Sequence, residues 1–115
     1  QQIPEMTVVG HNTATIRESL LEKAFELGEK FITASKEHYD PGIIGPFCLQ
    51  TCIDKDMNYA IYDVAPRLGG GTNVHVSVGH PYGNATWRKP VSSGRRIAME
   101  LRRAVEQDRL LEVLT

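Results

Sequence analysis

Residues 47–73, FCLQTCIDKDMNYAIYDVAPRLGGGTN, hold the pattern that decides the fold of this chain. Residues 47–53 alternate with period two, and the odd-numbered positions carry the larger, mostly apolar side chains. Residues 59–64 form a second run rich in aromatic and β-branched residues, and the polar segment DKDMN separates the two runs. Two such runs joined by a short polar segment predict an antiparallel hairpin.

The register of this hairpin predicts that Gln50 lies opposite Asp63. A four-residue loop over residues 55–58 would place residue 54 opposite residue 59, and a regular ladder then brings the two polar side chains face to face. Directly opposed residues share one face of the sheet, with their Cβ atoms about 5 Å apart. A slip of one residue would separate the pair.

Two oxygen-bearing side chains at this separation could hold one hard cation such as Mg²⁺. Proteins bind Mg²⁺ with one or two carboxylates, and substrate phosphates and waters complete its coordination. So sparse a set of ligands favours a metal–nucleotide complex over a structural ion. A solvated sheet face or a cross-strand hydrogen bond would explain the same pair without a metal.

The segment RLGGGTN, directly after the hairpin, suggests an anion site. Consecutive glycines allow backbone conformations that point several N–H groups into one concavity. Arg67 would add a planar, permanently charged fork for phosphate or carboxylate. The segment is not a P-loop, because no Lys-Ser/Thr pair follows the glycines. A flexible surface turn is the alternative interpretation.

An amphipathic segment before the hairpin predicts the first main helix. Thr15 stands three residues before Glu18, which is the spacing of a capping box, and Pro41 marks the stop. Apolar residues recur between them at intervals of three and four, as one face of a helix requires. This stripe consists of Ile16, Leu20, Ala24, Leu27 and Phe31.

The remaining elements complete an α+β prediction. Residues 6–9 and 73–78 each read as a short strand, and the segment GHPYGN breaks the second of them. Residues 94 to about 114 are amphipathic and predict a second main helix, with Ser92 or Ser93 as its cap. We therefore expect an antiparallel sheet with two main helices packed on it.

Composition excludes several classes of function. The 13 basic and 14 acidic residues leave a net charge of −1, so the basic excess of a nucleic-acid binder is missing. No apolar run approaches the length of a bilayer crossing. We expect a cytoplasmic protein with neither nucleic acid nor membrane as a partner. Because the sequence starts with Gln, we expect it to be a piece of a longer protein.

Five segments carry a specific resemblance: RESLLEKAFELGEKF, PGIIGPFCLQ, GGGTN, PY and GRRIAMELRRAVEQDRL. Together they resemble the C-terminal part of the archaeal 5-formaminoimidazole-4-carboxamide ribonucleotide synthetases, the formate-dependent ATP-grasp ligases of purine biosynthesis. The resemblance runs nearly end to end. It implies that residues 1–115 form a single domain, the C-terminal half of an ATP-grasp domain, within a longer ligase.

The resemblance also implies a reaction and its ligands. ATP phosphorylates formate, and the amine of aminoimidazole carboxamide ribonucleotide attacks the formyl phosphate, which gives the formamido product, ADP and phosphate. The implied metal is Mg²⁺ or Mn²⁺, bound by Gln50 and Asp63, and the implied substrate contacts are His11, Arg67 and Asn73. The partners would be ATP, formate and the ribonucleotide, in a homo-oligomer.

Several positions depart from the family pattern. Members usually carry Glu where this chain has Asp63, and SAR where it has APR, so that Ala65 replaces a small polar residue. The run SVGHPYGNATWRKP differs from the usual GSPY context. The alternative is therefore a diverged paralogue that acts as a nucleotide-binding or subunit-contact module without ligase activity. In either case the surface facing the rest of the ligase should be apolar.

Overall fold

The computed structural model describes residues 3, 5 and 7–114, and it confirms the α+β class. The sheet is antiparallel and has two strands, and the two longest helices have 21 and 14 residues. A short α-helix and two short 3₁₀ helices make up the other elements of the described residues. The elements in order are α1 (Glu18–His38), β1 (Cys48–Ile53), β2 (Tyr59–Ala65), the first 3₁₀ helix (Gly70–His75), α2 (Pro81–Trp87), α3 (Ser93–Glu106) and the second 3₁₀ helix (Leu110–Val113).

The start of α1 differs from the sequence prediction. The capping box of Thr15 and Glu18 is wrong, because the residue at the cap is Arg17, which is extended and makes no side-chain cap hydrogen bond. Glu18 is instead the first helical residue, where its carboxylate interacts favourably with the helix dipole. The end agrees with the prediction, since α1 stops at His38, shortly before Pro41.

The hairpin loop is one residue longer than predicted. Ile53 pairs with Tyr59, which leaves a five-residue loop from Asp54 to Asn58. The Asp54 carboxylate organises this loop by accepting hydrogen bonds from the backbone N–H groups of Asn58 at 2.8 Å and Asp56 at 2.9 Å. The bond from the backbone of Asn58 is the main reason that the pKa of Asp54 is lowered.

A β-bulge in β2 compensates for the longer loop. Thr51 pairs with Ile61, whereas the next residue of β1, Gln50, pairs with Asp63, so Tyr62 is an extra residue. The predicted opposition of Gln50 and Asp63 is therefore confirmed, although the ladder between them and the turn is not the regular one assumed. The loop and the bulge each shift the register by one residue, in opposite directions.

The predicted strand over residues 73–78 is wrong. The segment begins inside the first 3₁₀ helix, Gly70–His75, and continues as a turn. Local hydrogen bonds replace strand pairing, since the backbone N–H of Val76 donates to the carbonyl of Asn73 and that of Gly79 to the carbonyl of His75. Alternating valines form a strand only where a sheet edge can pair with them, and here the local turns compete successfully.

The predicted strand over residues 6–9 is not formed in the part of it that the structure describes. Residues 7–9 have no strand pairing, and Val9 is 97% exposed. Met6 lies outside the described residues. An apolar run without a neighbouring edge gains nothing from the extended ladder, so this segment lacks the partner that would make it a strand.

The segment predicted as a break forms α2. His80 caps this helix, because its Nδ1 accepts a hydrogen bond from the backbone N–H of Tyr82 at 3.3 Å. Pro81 follows at the first helical position, where its fixed φ is favourable and its missing N–H costs nothing. The Asn84 amide then donates to the carbonyl of Val78 at 2.8 Å, which fastens the helix to the preceding turn.

The helix α3 confirms one predicted end and corrects the other. Ser92 is the cap, and its hydroxyl accepts from the backbone N–H of Arg95 at 3.3 Å. The helix ends at Glu106 rather than near residue 114. Asp108 has φ +55, in the left-handed region that interrupts a helix, and the second 3₁₀ helix follows.

The buried core is small for 115 residues. Four apolar residues are buried among those described: Leu20, Ala65, Val91 and Ala104. The radius of gyration is 16.6 Å, and the molecule measures 59 × 36 × 29 Å. A compact domain of this length would have a radius of gyration of about 13 Å. None of the described helices combines the length and apolar character that a bilayer crossing requires.

Candidate functional site

The site begins at the bulge, where Gln50 and Asp63 are cross-strand partners. Gln50 is half-buried and Asp63 is exposed, and neither side chain hydrogen-bonds to any described residue. Their oxygens are therefore free to accept a ligand. Bulges commonly re-aim side chains beside functional sites. The described residues contain no cluster of three or more His, Cys, Asp or Glu that could hold a metal, so other ligands would have to complete any site here.

The segment from Arg67 to Asn73, called the glycine loop below, lies between β1 and His11. A Cβ added at Gly69 would lie 2.7 Å from the Cys48 sulfur, so no larger residue fits there without a shift. A Cβ at Gly70 would lie 3.5 Å from Cε1 of His11, and one at Gly71 would lie 3.4 Å from its Cδ2. The structure thus brings the predicted substrate residue His11 against the glycine loop, although almost sixty positions separate them in sequence.

Close approach requires a glycine only at position 69, and none of the three glycines is required by unusual backbone angles. Gly69 has φ −70, and neither Gly70 nor Gly71 has a positive φ. The convergent N–H cradle that glycine freedom would allow typically alternates right- and left-handed residues, and this segment forms a 3₁₀ turn instead. The backbone N–H of Thr72 donates to the carbonyl of Gly69 at 3.0 Å.

The other two predicted substrate residues lie at the two ends of this loop. Arg67 is exposed and donates from Nη1 to the carbonyl of Leu68 at 2.8 Å, which leaves the rest of its guanidinium available. Asn73 is exposed and lies within the first 3₁₀ helix. Both residues are thus placed on one exposed loop segment, together with the glycines that contact His11.

Sequence reasoning missed a cavity of about 620 Å³ behind this loop. Its walls come from residues 44–46, α2 and α3, and most of its lining is apolar. On one wall the Arg96 guanidinium lies 5.6 Å from the Trp87 ring centre and pairs with Glu100 at 2.7 Å. Residues 44–46 lie more than thirty positions before α2, so no local sequence pattern could have predicted the cavity.

Two histidines lie where the first 3₁₀ helix meets α2. The ring centres of His75 and His80 are 5.0 Å apart in an edge arrangement, and the ring of Tyr82 lies 5.4 Å from that of His80. His80 is an exposed residue, and the partial burial of its ring, followed by the neighbouring His75, lowers its pKa. The neutral form of His80 is therefore favoured, which agrees with its acceptor role at the start of α2.

Comparison with known proteins places the chain in a family. The sequence profile of a family described as a domain of unknown function (DUF1297) matches residues 1–115. The chain belongs to this family. The match covers the hairpin, the glycine loop and all three α-helices, so the elements that form the candidate site lie within the domain.

Several curated relatives of the chain share one name, 5-formaminoimidazole-4-carboxamide-1-(beta)-D-ribofuranosyl 5'-monophosphate synthetase. The relative from Thermococcus kodakarensis is 44% identical over 96% of this chain, and that from Saccharolobus solfataricus is 42% identical over 97%. The relative from Methanobrevibacter smithii is 38% identical over 97% of this chain. The resemblance that the sequence motifs indicated is confirmed. The chain spans about a third of the length of these relatives.

Proposed function

We propose that this chain is the C-terminal part of an ATP- and formate-dependent ligase that formylates aminoimidazole carboxamide ribonucleotide in purine biosynthesis. Support comes from the name shared by its relatives, which match it over nearly its whole length. On this proposal the chain is one half of an ATP-grasp domain, and the remaining polypeptide supplies the nucleotide clamp.

The observation that carries this proposal is the pairing of Gln50 with Asp63 across the bulge. An amide oxygen and a carboxylate oxygen are hard ligands of the kind that Mg²⁺ or Mn²⁺ accepts. Two protein oxygens on an exposed sheet face leave the other positions of the ion open to ATP phosphates and water. When bound, the cation would neutralise phosphate charge during phosphoryl transfer.

The ribonucleotide would be bound beside this metal site. His11 packs against Gly70 and Gly71, and a neutral imidazole can donate or accept one hydrogen bond at each ring nitrogen. Arg67 would bind a phosphate through the donors that Leu68 does not use. Asn73 would contribute an amide from the first 3₁₀ helix.

The small core supports the view that the domain works within a longer chain and a homo-oligomer. Large apolar side chains such as Tyr62 on β2 and Val105 on α3 are more than half exposed. An isolated two-stranded sheet is marginally stable in water. Further polypeptide would cover these side chains and extend the sheet.

The test is formate-dependent ADP release by the complete polypeptide, with aminoimidazole carboxamide ribonucleotide as acceptor. We expect Asp63→Asn to reduce turnover by about a hundred-fold or more, because it removes a charge that acts in the transition state. The matched control is Asp56→Asn, which removes a carboxylate from the exposed hairpin loop and should leave turnover unchanged. Equal activity of both variants would contradict the role of Asp63.

The sparse ligand set favours one alternative, a nucleotide-binding module without chemistry. Only one of the two proposed metal ligands is charged, and the described residues offer no acidic cluster beside it. Calorimetric titration with Mg-ATP separates the two functions. Binding of Mg-ATP without ADP release in the presence of any small acid would support the binding module and overturn the ligase.

A further inference from the structure

Three hydrogen bonds hold the junction between the first 3₁₀ helix and α2, and one of them is the bond from the Asn84 amide to the carbonyl of Val78. The backbone N–H of Gly79 donates to the carbonyl of His75 at 3.0 Å, which closes the turn between the two elements. The Nδ1 of His80 accepts from the backbone N–H of Tyr82 at 3.3 Å, so the first turn of α2 depends on an imidazole lone pair. That lone pair exists only in the neutral ring.

Among the described residues that line the cavity with His80, the one carboxylate is that of Glu100, and it is already paired with Arg96. The ring centre of His75 lies 5.0 Å from that of His80, and a protonated His75 would carry the same charge. On α3, Arg96 and Glu100 line the same cavity and pair with each other at 2.7 Å. The element α1 contacts α2 through an uncharged aromatic pair, since the rings of Phe25 and Tyr82 are 6.1 Å apart.

We propose that His75 and His80 form a proton-sensitive hinge, which holds α2 against the first 3₁₀ helix when His80 is neutral and releases it when His80 is protonated. Protonation converts Nδ1 from an acceptor into a donor, so the Tyr82 N–H loses its partner. It also sets two cationic rings 5.0 Å apart when His75 is charged as well. This inference goes beyond the proposed ligase function and does not depend on it.

The direction of the pH effect follows from the two states of His80. Its pKa is lowered in the folded protein, first by burial and then by His75, so the unfolded chain binds the proton more readily. The stability that the cap contributes is fully present above the unfolded pKa of about 6.5. It is lost as the pH falls below that value through the lower pKa of the folded state.

Release of α2 would change two neighbouring features. One wall of the 620 Å³ cavity is formed by three residues of α2, namely Tyr82, Gly83 and Trp87. The first 3₁₀ helix, on the other side of the hinge, carries Asn73 and begins at the glycines that contact His11. Protonation would thus open the cavity wall and loosen the exposed loop together.

Hydrogen exchange of the complete polypeptide tests the hinge. Exchange is followed by mass spectrometry at pH 7.5 and 5.5, with rates corrected for the intrinsic effect of pH, in peptides covering residues 76–91. We expect the amides of α2 to lose about five-fold in protection at the lower pH, the change that loss of one helix cap produces. Peptides from α1 should show no comparable loss.

Three variants separate the hinge from other effects of acid. His80→Asn keeps a cap that does not titrate, so the difference between the two pH values should disappear. His75→Gln removes the neighbouring charge, so the midpoint should move to higher pH. His38→Gln changes an exposed histidine at the end of α1 and should leave the α2 transition unaltered.

Defined results would overturn the proposal. The hinge is contradicted if the protection of α2 in the wild-type protein is the same at pH 7.5 and 5.5. It is also contradicted if the protection of α2 still depends on pH in His80→Asn. An equal loss of protection in α1 and α2 would show general acid unfolding rather than a hinge. If His80→Asn does not fold, the midpoint in His75→Gln decides the question, and an unmoved midpoint contradicts the hinge.

Discussion

At the scale of single residues, the turn before α2 is held by close contacts between two backbone segments. Gly79 is buried with φ +71, and its α-carbon faces the backbone of Val91. The Asn84 side chain bridges the same two segments, because its amide donates to Val78 and its oxygen accepts from the backbone N–H of Val91 at 3.2 Å. One side chain and one missing Cβ thus determine how α2 leaves the turn.

Gly79→Ala should destabilise the fold strongly. An added Cβ would lie 2.6 Å from the nitrogen and 3.0 Å from the oxygen of Val91, and neither backbone atom can move aside easily. We expect a loss of about 1–3 kcal/mol from this overpacking, in addition to the cost of the left-handed conformation. Chemical denaturation would measure it.

Gly45→Ala is the matched control for this substitution. Gly45 also has a positive φ, +84, but an added Cβ would meet nothing within 4 Å. The control therefore has the conformational cost without the clash, and the difference between the two variants isolates the clash. Equal losses of stability in both variants would contradict the packing described around Gly79.

At the scale of elements, the hairpin shows how a prediction from periodicity can succeed through compensation. The alternation of β1 and β2 was sufficient to predict both strands and the pairing of Gln50 with Asp63. The five-residue loop and the bulge at Tyr62 were not predictable, because each depends on side-chain and backbone contacts within the folded hairpin. Their one-residue effects on register cancel between the turn and Gln50.

In other elements the local sequence pattern was not sufficient to predict the structure. Ser92 or Ser93 was identified as a cap from residue type alone, and the structure selects Ser92. The capping-box spacing of Thr15 and Glu18 was misleading, because α1 begins only at Glu18, with Arg17 at its cap. The valines of residues 73–78 alternate as in a strand, yet the chain offers them no edge. Contacts distant in sequence, such as that of His11 with the glycine loop, leave no periodic signal at all.

Leu20→Ala tests the packing of α1 on the hairpin. Leu20 is 4% exposed, and its carbonyl accepts a hydrogen bond from the Tyr59 hydroxyl of β2 at 3.0 Å. Truncating this side chain should cost about 2–5 kcal/mol in the free energy of unfolding. Leu111→Ala, at a position 87% exposed, should change it little. A loss below about 0.5 kcal/mol at Leu20, typical of surface positions, would refute the assigned face of α1.

At the scale of the whole molecule, the exposed apolar surface is too extensive for the small core it surrounds. The domain has four buried apolar residues among those described and an extended shape, 59 Å in its longest dimension, and both features support the proposal that further polypeptide covers it. This agrees with the sequence-based expectation of an apolar surface and with a chain that spans about a third of its relatives. Composition and patterning could predict such a surface but not where it would lie.

Dye binding tests whether the apolar surface is covered in the longer protein. The fluorescence of 8-anilinonaphthalene-1-sulfonate, which rises on exposed apolar surface, is compared at equal molar concentrations. We expect a clearly higher signal from residues 1–115 alone than from the complete polypeptide. Side chains such as Ile97 and Leu101 are over a third exposed in this domain, and the complete polypeptide should bury them. Equal signals would contradict a covering layer.

The most direct test of the central claim is Mn²⁺ binding by the complete polypeptide in the presence of a non-hydrolysable ATP analogue, with free Mn²⁺ followed by electron paramagnetic resonance. If Gln50 and Asp63 share one cation, Asp63→Asn should weaken Mn²⁺ binding by about ten-fold or more, which is about 1.4 kcal/mol. Gln50→Leu should weaken it in the same direction, and Asp56→Asn should not. Wild-type affinity in both Asp63→Asn and Gln50→Leu would contradict the shared metal site.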